Sequence, residues 1–162
     1  TALHGGCFIG GGEIREMVSL IDLPPTLLDA AGISVPEKMQ GRSILPLTQG
    51  KRDDWPKEAF IQISEAQVGR AIRTDKWKYS VKAPQKHGGQ DAGSTEYVEE
   101  FLYDLQVDPY ELRNLIAAES HAEVCQILRQ RLVARMVEAG EAAPDIKVIP
   151  KEGSGQRKIS IR

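Results

Sequence analysis

Val18-Ser-Leu-Ile-Asp-Leu-Pro-Pro-Thr-Leu-Leu-Asp-Ala-Ala-Gly32 is the stretch on which the fold turns. It reads as a short extended apolar lead-in followed by a sharply bounded helix. Val18, Leu20 and Ile21 form the lead-in. Asp22 is placed as an N-cap, because its carboxylate can accept hydrogen bonds from the first free helix N–H groups. Pro24 and Pro25 fall in the first turn, where a missing N–H costs little. Leu23, Leu27, Leu28 and Ala31 recur at near-helical spacing and make one apolar face. Gly32 suits the left-handed conformation that stops a helix. Nothing in the stretch is reactive, and its apolar face needs a larger partner than one short helix.

Upstream, residues 1–12 carry five glycines. A phosphate-binding loop would need G-x-x-x-x-G-K-[ST], and no Lys-Ser or Lys-Thr follows. The dinucleotide fingerprint fails as well, so these residues read as a surface loop. Downstream, Arg42–Gly50 reads as one or two helical turns, and Lys51-Arg-Asp-Asp-Trp-Pro56 is a charged boundary. Beyond it the pattern becomes strand-like. Ala59–Glu65, Val68–Thr74, Trp77–Val81 and Val98–Asp104 are four strand candidates, separated by turns that favour antiparallel pairing. Trp77, Tyr79 and Val81 share one face of the third. Residues 82–96 form a polar loop. Asp108-Pro109 starts a turn. Ala117–Gly140 is the longest helix, with Val124, Ile127, Leu128, Leu132 and Met136 as its buried stripe. Residues 141–162 read as a flexible tail.

The 162 residues are 41% hydrophobic and 27% charged, with a formal net charge of −2, an ordinary globular composition. Nucleic-acid binding is excluded as an expectation, because no clustered basic excess is present. No apolar run is long enough to span a membrane. Cys7 and Cys125 lack C-x-x-C spacing and read as ordinary thiols.

Catalytic chemistry is hard to place. His4, His87 and His121 are isolated from one another, with no second ligand at metal-binding spacing. Asp53-Asp54 reads as a solvated charged turn beside Lys51, Arg52 and Lys57. Asp104, Asp108 and Glu111 lack the further oxygen ligands and the glycine of a calcium loop. The residues alone therefore place no catalytic or metal site in the chain.

Four stretches in order carry a resemblance. Val18–Ile33 resembles the late helix of the type I sulfatases, the arylsulfatase-like family within the alkaline-phosphatase superfamily. Leu102-Tyr-Asp-Leu-Gln-Val-Asp-Pro-Tyr-Glu-Leu-Arg-Asn-Leu115 resembles that family's closing motif, LYDL-x-x-DP-x-E-x-x-NL. Between them, Gln40–Leu47 and Ala71–Tyr79 are also similar to sulfatases. The resemblance covers about residues 10 to 140.

It implies an α+β chain: a strand-helix remnant of the large α/β sulfatase domain over 1–50, then a C-terminal subdomain over 51–140. That subdomain would be a four-stranded antiparallel sheet packed by a long helix. The family hydrolyses sulfate esters with a formylglycine, made from the Cys or Ser of C-x-P-x-R or S-x-P-x-R, and a bound calcium. Neither motif occurs here. No catalytic or metal residue is carried over, and no cofactor is expected in this chain itself. The resemblance thus implies a C-terminal fragment of a bacterial-type sulfatase, inactive alone. Its partners would be the missing N-terminal catalytic domain and, in the intact enzyme, a sulfated small molecule or glycan. Two other readings stay open: a stand-alone binding or self-associating module, and a fragment of a related phosphonate or phosphate monoester hydrolase. The compartment is open too. In such enzymes the small subdomain borders the substrate cleft, which makes Ser64, Glu65, Gln67 and Arg70 candidate rim residues. Arg70 would offer an anionic or sugar substrate its planar donor fork. The apolar face of Leu23, Leu27 and Leu28 would be under-covered without the central sheet.

Overall fold

The opening helix forms where the sequence puts it, as α1 over Leu23–Ala30, with both prolines in its first turn. The apolar lead-in is not extended: Leu20–Asp22 is a turn of 3-10 helix. Asp22 sits at the N-cap position, but its carboxylate does not cap α1. It accepts instead from the amides of Ser19 at 2.8 Å and Arg42 at 3.0 Å. The Thr26 hydroxyl accepts from the Ile44 amide at 3.0 Å. These two polar side chains, both buried, tie the helix to the segment leading into α2, Leu45–Thr48. Gly41 is needed there, because a Cβ would lie 1.9 Å from the Ile21 carbonyl oxygen. The expected apolar face is open at Leu23 and Leu27, 47% and 61% exposed, while Leu28 is half-buried.

The structure is a computed structural model that describes residues 12–153. The glycine-rich start with His4 and Cys7, and the last residues of the expected tail, lie outside the described residues. The chain divides into two compact units between Ala59 and Phe60. No described helix is long and apolar enough to cross a membrane.

The second unit is built on one sheet, with β1 Glu58–Ile63, β2 Gly69–Thr74, β3 Trp77–Lys82, β4 Glu96–Asp104 and β5 Asp145–Lys147 in spatial order β1-β2-β3-β4-β5. β2, β3 and β4 pair antiparallel, Ile72 facing Tyr79 and Tyr79 facing Leu102. The expected four-stranded antiparallel sheet is thus corrected to five strands in a mixed sheet. The fifth strand comes from what the sequence suggested was tail, and it runs parallel to β4, Tyr97 facing Ile146. Parallel neighbours require a long crossover connection, and the helix α3, Ala122–Glu138, lies in that connection. One apolar residue in three, Ile146, is too little pattern to announce a strand.

A 3-10 turn at Glu119–His121 leads into α3. Its buried stripe is Cys125, Leu128, Leu132 and Met136, while Ile127 is 47% exposed. The stripe is therefore rotated from the expected one, with Cys125 taking the inward place given to Ile127. It meets Ile72, Tyr79, Val81, Tyr97, Leu102 and Ile146 in the core. Between Ser80 and Val81 the β3–β4 register shifts, so that Val81 faces Glu99. The extra residue of a bulge bends the strand. Here it keeps Glu99 directed at the core and leaves Glu100 beside Gln67 and Lys82.

Candidate functional site

The closing motif is a set of backbone braces. The Asp104 carboxylate accepts from the amides of Gln106 and Val107. Asp108 accepts from the amides of Leu112 and Arg113. The Asn114 side-chain oxygen accepts from the amides of Leu102 and Ile116, and its NH2 donates to the Glu100 carbonyl. Glu111 pairs with Lys78 at 2.6 Å from a left-handed backbone, φ 56°. Side-chain oxygens that accept from backbone N–H groups hold a turn.

The four candidate rim residues lie at the opposite end of the sheet. That edge brings together the β1–β2 turn, the β3–β4 loop and the residue following the stop of α3. The Ser64 carbonyl accepts from the Gly89 amide at 2.7 Å. Gly88 sits against the turn so closely that a Cβ would be 2.0 Å from the Glu65 carbonyl oxygen. Ser64 and Glu65 are exposed. Gln67 is half-buried and donates to Glu100 at 3.0 Å.

Arg70 is placed differently from its neighbours. It is 3% exposed. Its Nε donates to Glu141 Oε1 at 2.8 Å, Nη1 to the carbonyls of Gly69 and Ile63, and Nη2 to the Ala92 carbonyl at 2.9 Å. The guanidinium carbon lies 5.9 Å from the centre of the Tyr97 ring. Every nitrogen of the fork is engaged within the chain. Glu141, the acidic partner, carries no local signal in the sequence, because it follows the helix-stopping Gly140 in a stretch with no strand or helix period.

A second buried charge was also missed. The Glu99 side chain is fully buried and accepts from Tyr79 Oη, Arg129 Nη1, the Ile149 amide and Lys151 Nζ at 2.9–3.2 Å. Strand alternation does put Glu99 on the same face as Tyr97, which was the available signal.

The remaining candidates are ordinary. His121 meets the edge of Trp77 with 5.8 Å between ring centres. His87 is exposed, and its amide donates to Asp91. Cys125 is free and buried, and burial pushes its thiol pKa up, which leaves it protonated and inert. Among the described residues no group of three or more His, Cys, Asp or Glu could hold a metal ion.

Comparison with known proteins agrees with the fold. The family model for the C-terminal part of N-sulphoglucosamine sulphohydrolase matches residues 6–138. Mouse (Mus musculus) arylsulfatase K is 32% identical over 130 residues, covering 74% of this chain and 21% of its own length. The N-acetylglucosamine-6-O-sulfatase of Bacteroides thetaiotaomicron is 27% identical over 146 residues, covering 86% of this chain and 25% of its own length. The structure of BT4656 with its substrate D-glucosamine-2-N,6-O-disulfate matches at TM-score 0.58 and 27% identity, over 76% of this chain and 25% of that one. The chain thus spans about a fifth to a quarter of these relatives. Since they include a mammalian protein, the match carries no bacterial assignment. A family model spanning most of the chain, four motifs in order and the shared fold lead to one conclusion: the chain belongs to the type I sulfatases and corresponds to their C-terminal part.

Proposed function

We propose that the chain completes a sulfuric ester hydrolase and has no turnover of its own. The family match over residues 6–138 carries this reading. The nucleophile and the calcium of the intact enzyme belong to the N-terminal domain, since neither C-x-P-x-R nor S-x-P-x-R occurs here. The part played by this chain is structural and selective. The exposed Leu20, Leu23 and Leu27 supply an apolar face for the catalytic domain's central sheet. The edge carrying Ser64, Glu65 and Gln67, with Arg70 beneath it, forms part of the rim that meets a sulfated small molecule or glycan.

The purified chain, given calcium and an aryl sulfate, is expected to release no sulfate above a mock preparation. Turnover by the chain alone would refute the reading. In the intact protein, preference for a phosphonate or phosphate monoester over the sulfate ester would favour the phosphonate hydrolases. The phosphonate monoester hydrolase of Agrobacterium radiobacter shares the fold at TM-score 0.57 and 24% identity. A stable homo-oligomer of the chain on size exclusion would favour a self-associating module instead.

A further inference from the structure

We propose that Arg70 and Glu141 are a positioning pair that sets the 84–93 loop, and through it the selectivity of the rim. This rests on the reading of that edge as facing substrate. A guanidinium donates in one plane, so a single Arg70 side chain fixes several chain segments relative to one another. It joins the end of β1 through Ile63, the loop through Ala92, and the residue after α3 through Glu141. Gln62 adds a second bond to the same Glu141 oxygen at 2.7 Å. Gly93 leaves room for the guanidinium, since a Cβ there would lie 3.0 Å from Nη2.

The clamp acts on a loop that is otherwise held by few long-range bonds. Its bonds include Gly89 to the Ser64 carbonyl and an internal turn in which Asp91 accepts from the His87 amide and pairs with Lys86. The side chains this turn presents, Gln85, Lys86, His87 and Gln90, are all exposed. They are the polar groups available to a glycan, and Arg70 fixes where they stand without touching it. Glu141 lies three residues beyond the end of the family match at residue 138.

The test has two arms. In the purified chain, Arg70→Met is expected to speed exchange of the Gly89 amide and tryptic cleavage after Lys86 by about tenfold or more, with α3 amides unchanged. Glu141→Gln, which keeps the neutral bond and the fold, is expected to give about a threefold effect in the same direction. Arg70→Lys restores the charge but not the fork, and is expected to stay loosened. Unchanged Gly89 exchange and Lys86 cleavage in Glu141→Gln and Arg70→Lys would overturn the clamp, whatever the fate of the Met variant. In the intact enzyme, Glu141→Gln is expected to raise KM for a sulfated oligosaccharide while leaving kcat, and both constants for a small aryl sulfate, unchanged. An equal loss on both substrates would overturn the positioning role. A wild-type enzyme that hydrolyses neither would overturn the sulfatase reading and the selective role with it, while the first arm reports on the clamp alone.

Discussion

Replacing Glu99 by alanine should be among the most damaging single changes in the second unit. Its carboxylate has no solvent exposure and accepts four hydrogen bonds, two of them from cations. Lys151 also donates to the Ile116 carbonyl at 2.7 Å, so its ammonium cannot swing away without breaking a second bond. Removing one partner of a buried ion pair costs about 3–5 kcal/mol, because the other charge is left uncompensated. Lys151 and Arg129 keep 17% and 24% side-chain exposure. Water can rehydrate them in part, which places the loss near the lower end, about 3 kcal/mol. For a unit of this size that is a fall in melting temperature of roughly 12–24 °C. Glu99→Gln retains the shape and one acceptor oxygen, but turns an NH2 toward donors, and should cost about 2 kcal/mol. The double change Glu99→Met with Lys151→Met should recover part of the loss, since it removes the unpaired ammonium. Thermal unfolding followed by tryptophan fluorescence in a Trp55→Phe background, which leaves Trp77 as the reporter, and by circular dichroism measures all three. A Glu99→Ala protein melting within about 2 °C of the parent would refute the argument, showing that the buried carboxylate contributes no net stability.

Two further outcomes follow from the same geometry. Burial, reinforced by the neighbouring Glu99 carboxylate, raises the pKa of the Tyr79 phenol above its ordinary value, and burial raises that of the Cys125 thiol. A raised folded-state pKa contributes stability that is complete below the unfolded value and is lost as pH rises. The melting temperature should therefore decline once pH passes about 9–10, and Tyr79→Phe should flatten that decline. A Tyr79→Phe profile parallel to the parent's above that range would count against it. Asn114→Ala strands the amides of Leu102 and Ile116 and should cost about 1–3 kcal/mol by denaturant titration. Asn114→Asp, which preserves the acceptor for both amides, should recover most of that loss, and a variant no better than alanine would refute the acceptor role.

What could be read in advance follows the range of the interactions concerned. The three central strands were legible because Trp77, Tyr79 and Val81 alternate with polar residues, and alternation is a local property. The extent of α1 was legible from its prolines and Gly32. The long-range partners were not. Asp22 has the local signature of an N-cap, yet its carboxylate goes to Arg42, twenty residues on. Arg70 in a turn-proximal position looks like a donor fork facing water, and only the fold brings Glu141 to it across 71 residues. Lys151 reaches Glu99 across 52. In each case a charged side chain is written next to polar neighbours, and its burial depends on a segment whose own pattern is weak. The stretch from Glu141 to Glu152 has that weak pattern, with Ile146 as its only buried hydrophobic. It nonetheless supplies the counter-charge of Arg70, one of the two cations on Glu99 and a parallel edge for β4. A buried charge costs far more unpaired than paired. That asymmetry ties the stretch to the sheet it joins: seating residues 141–151 gives Arg70 its carboxylate and gives Glu99, already paired with Arg129, a second cation.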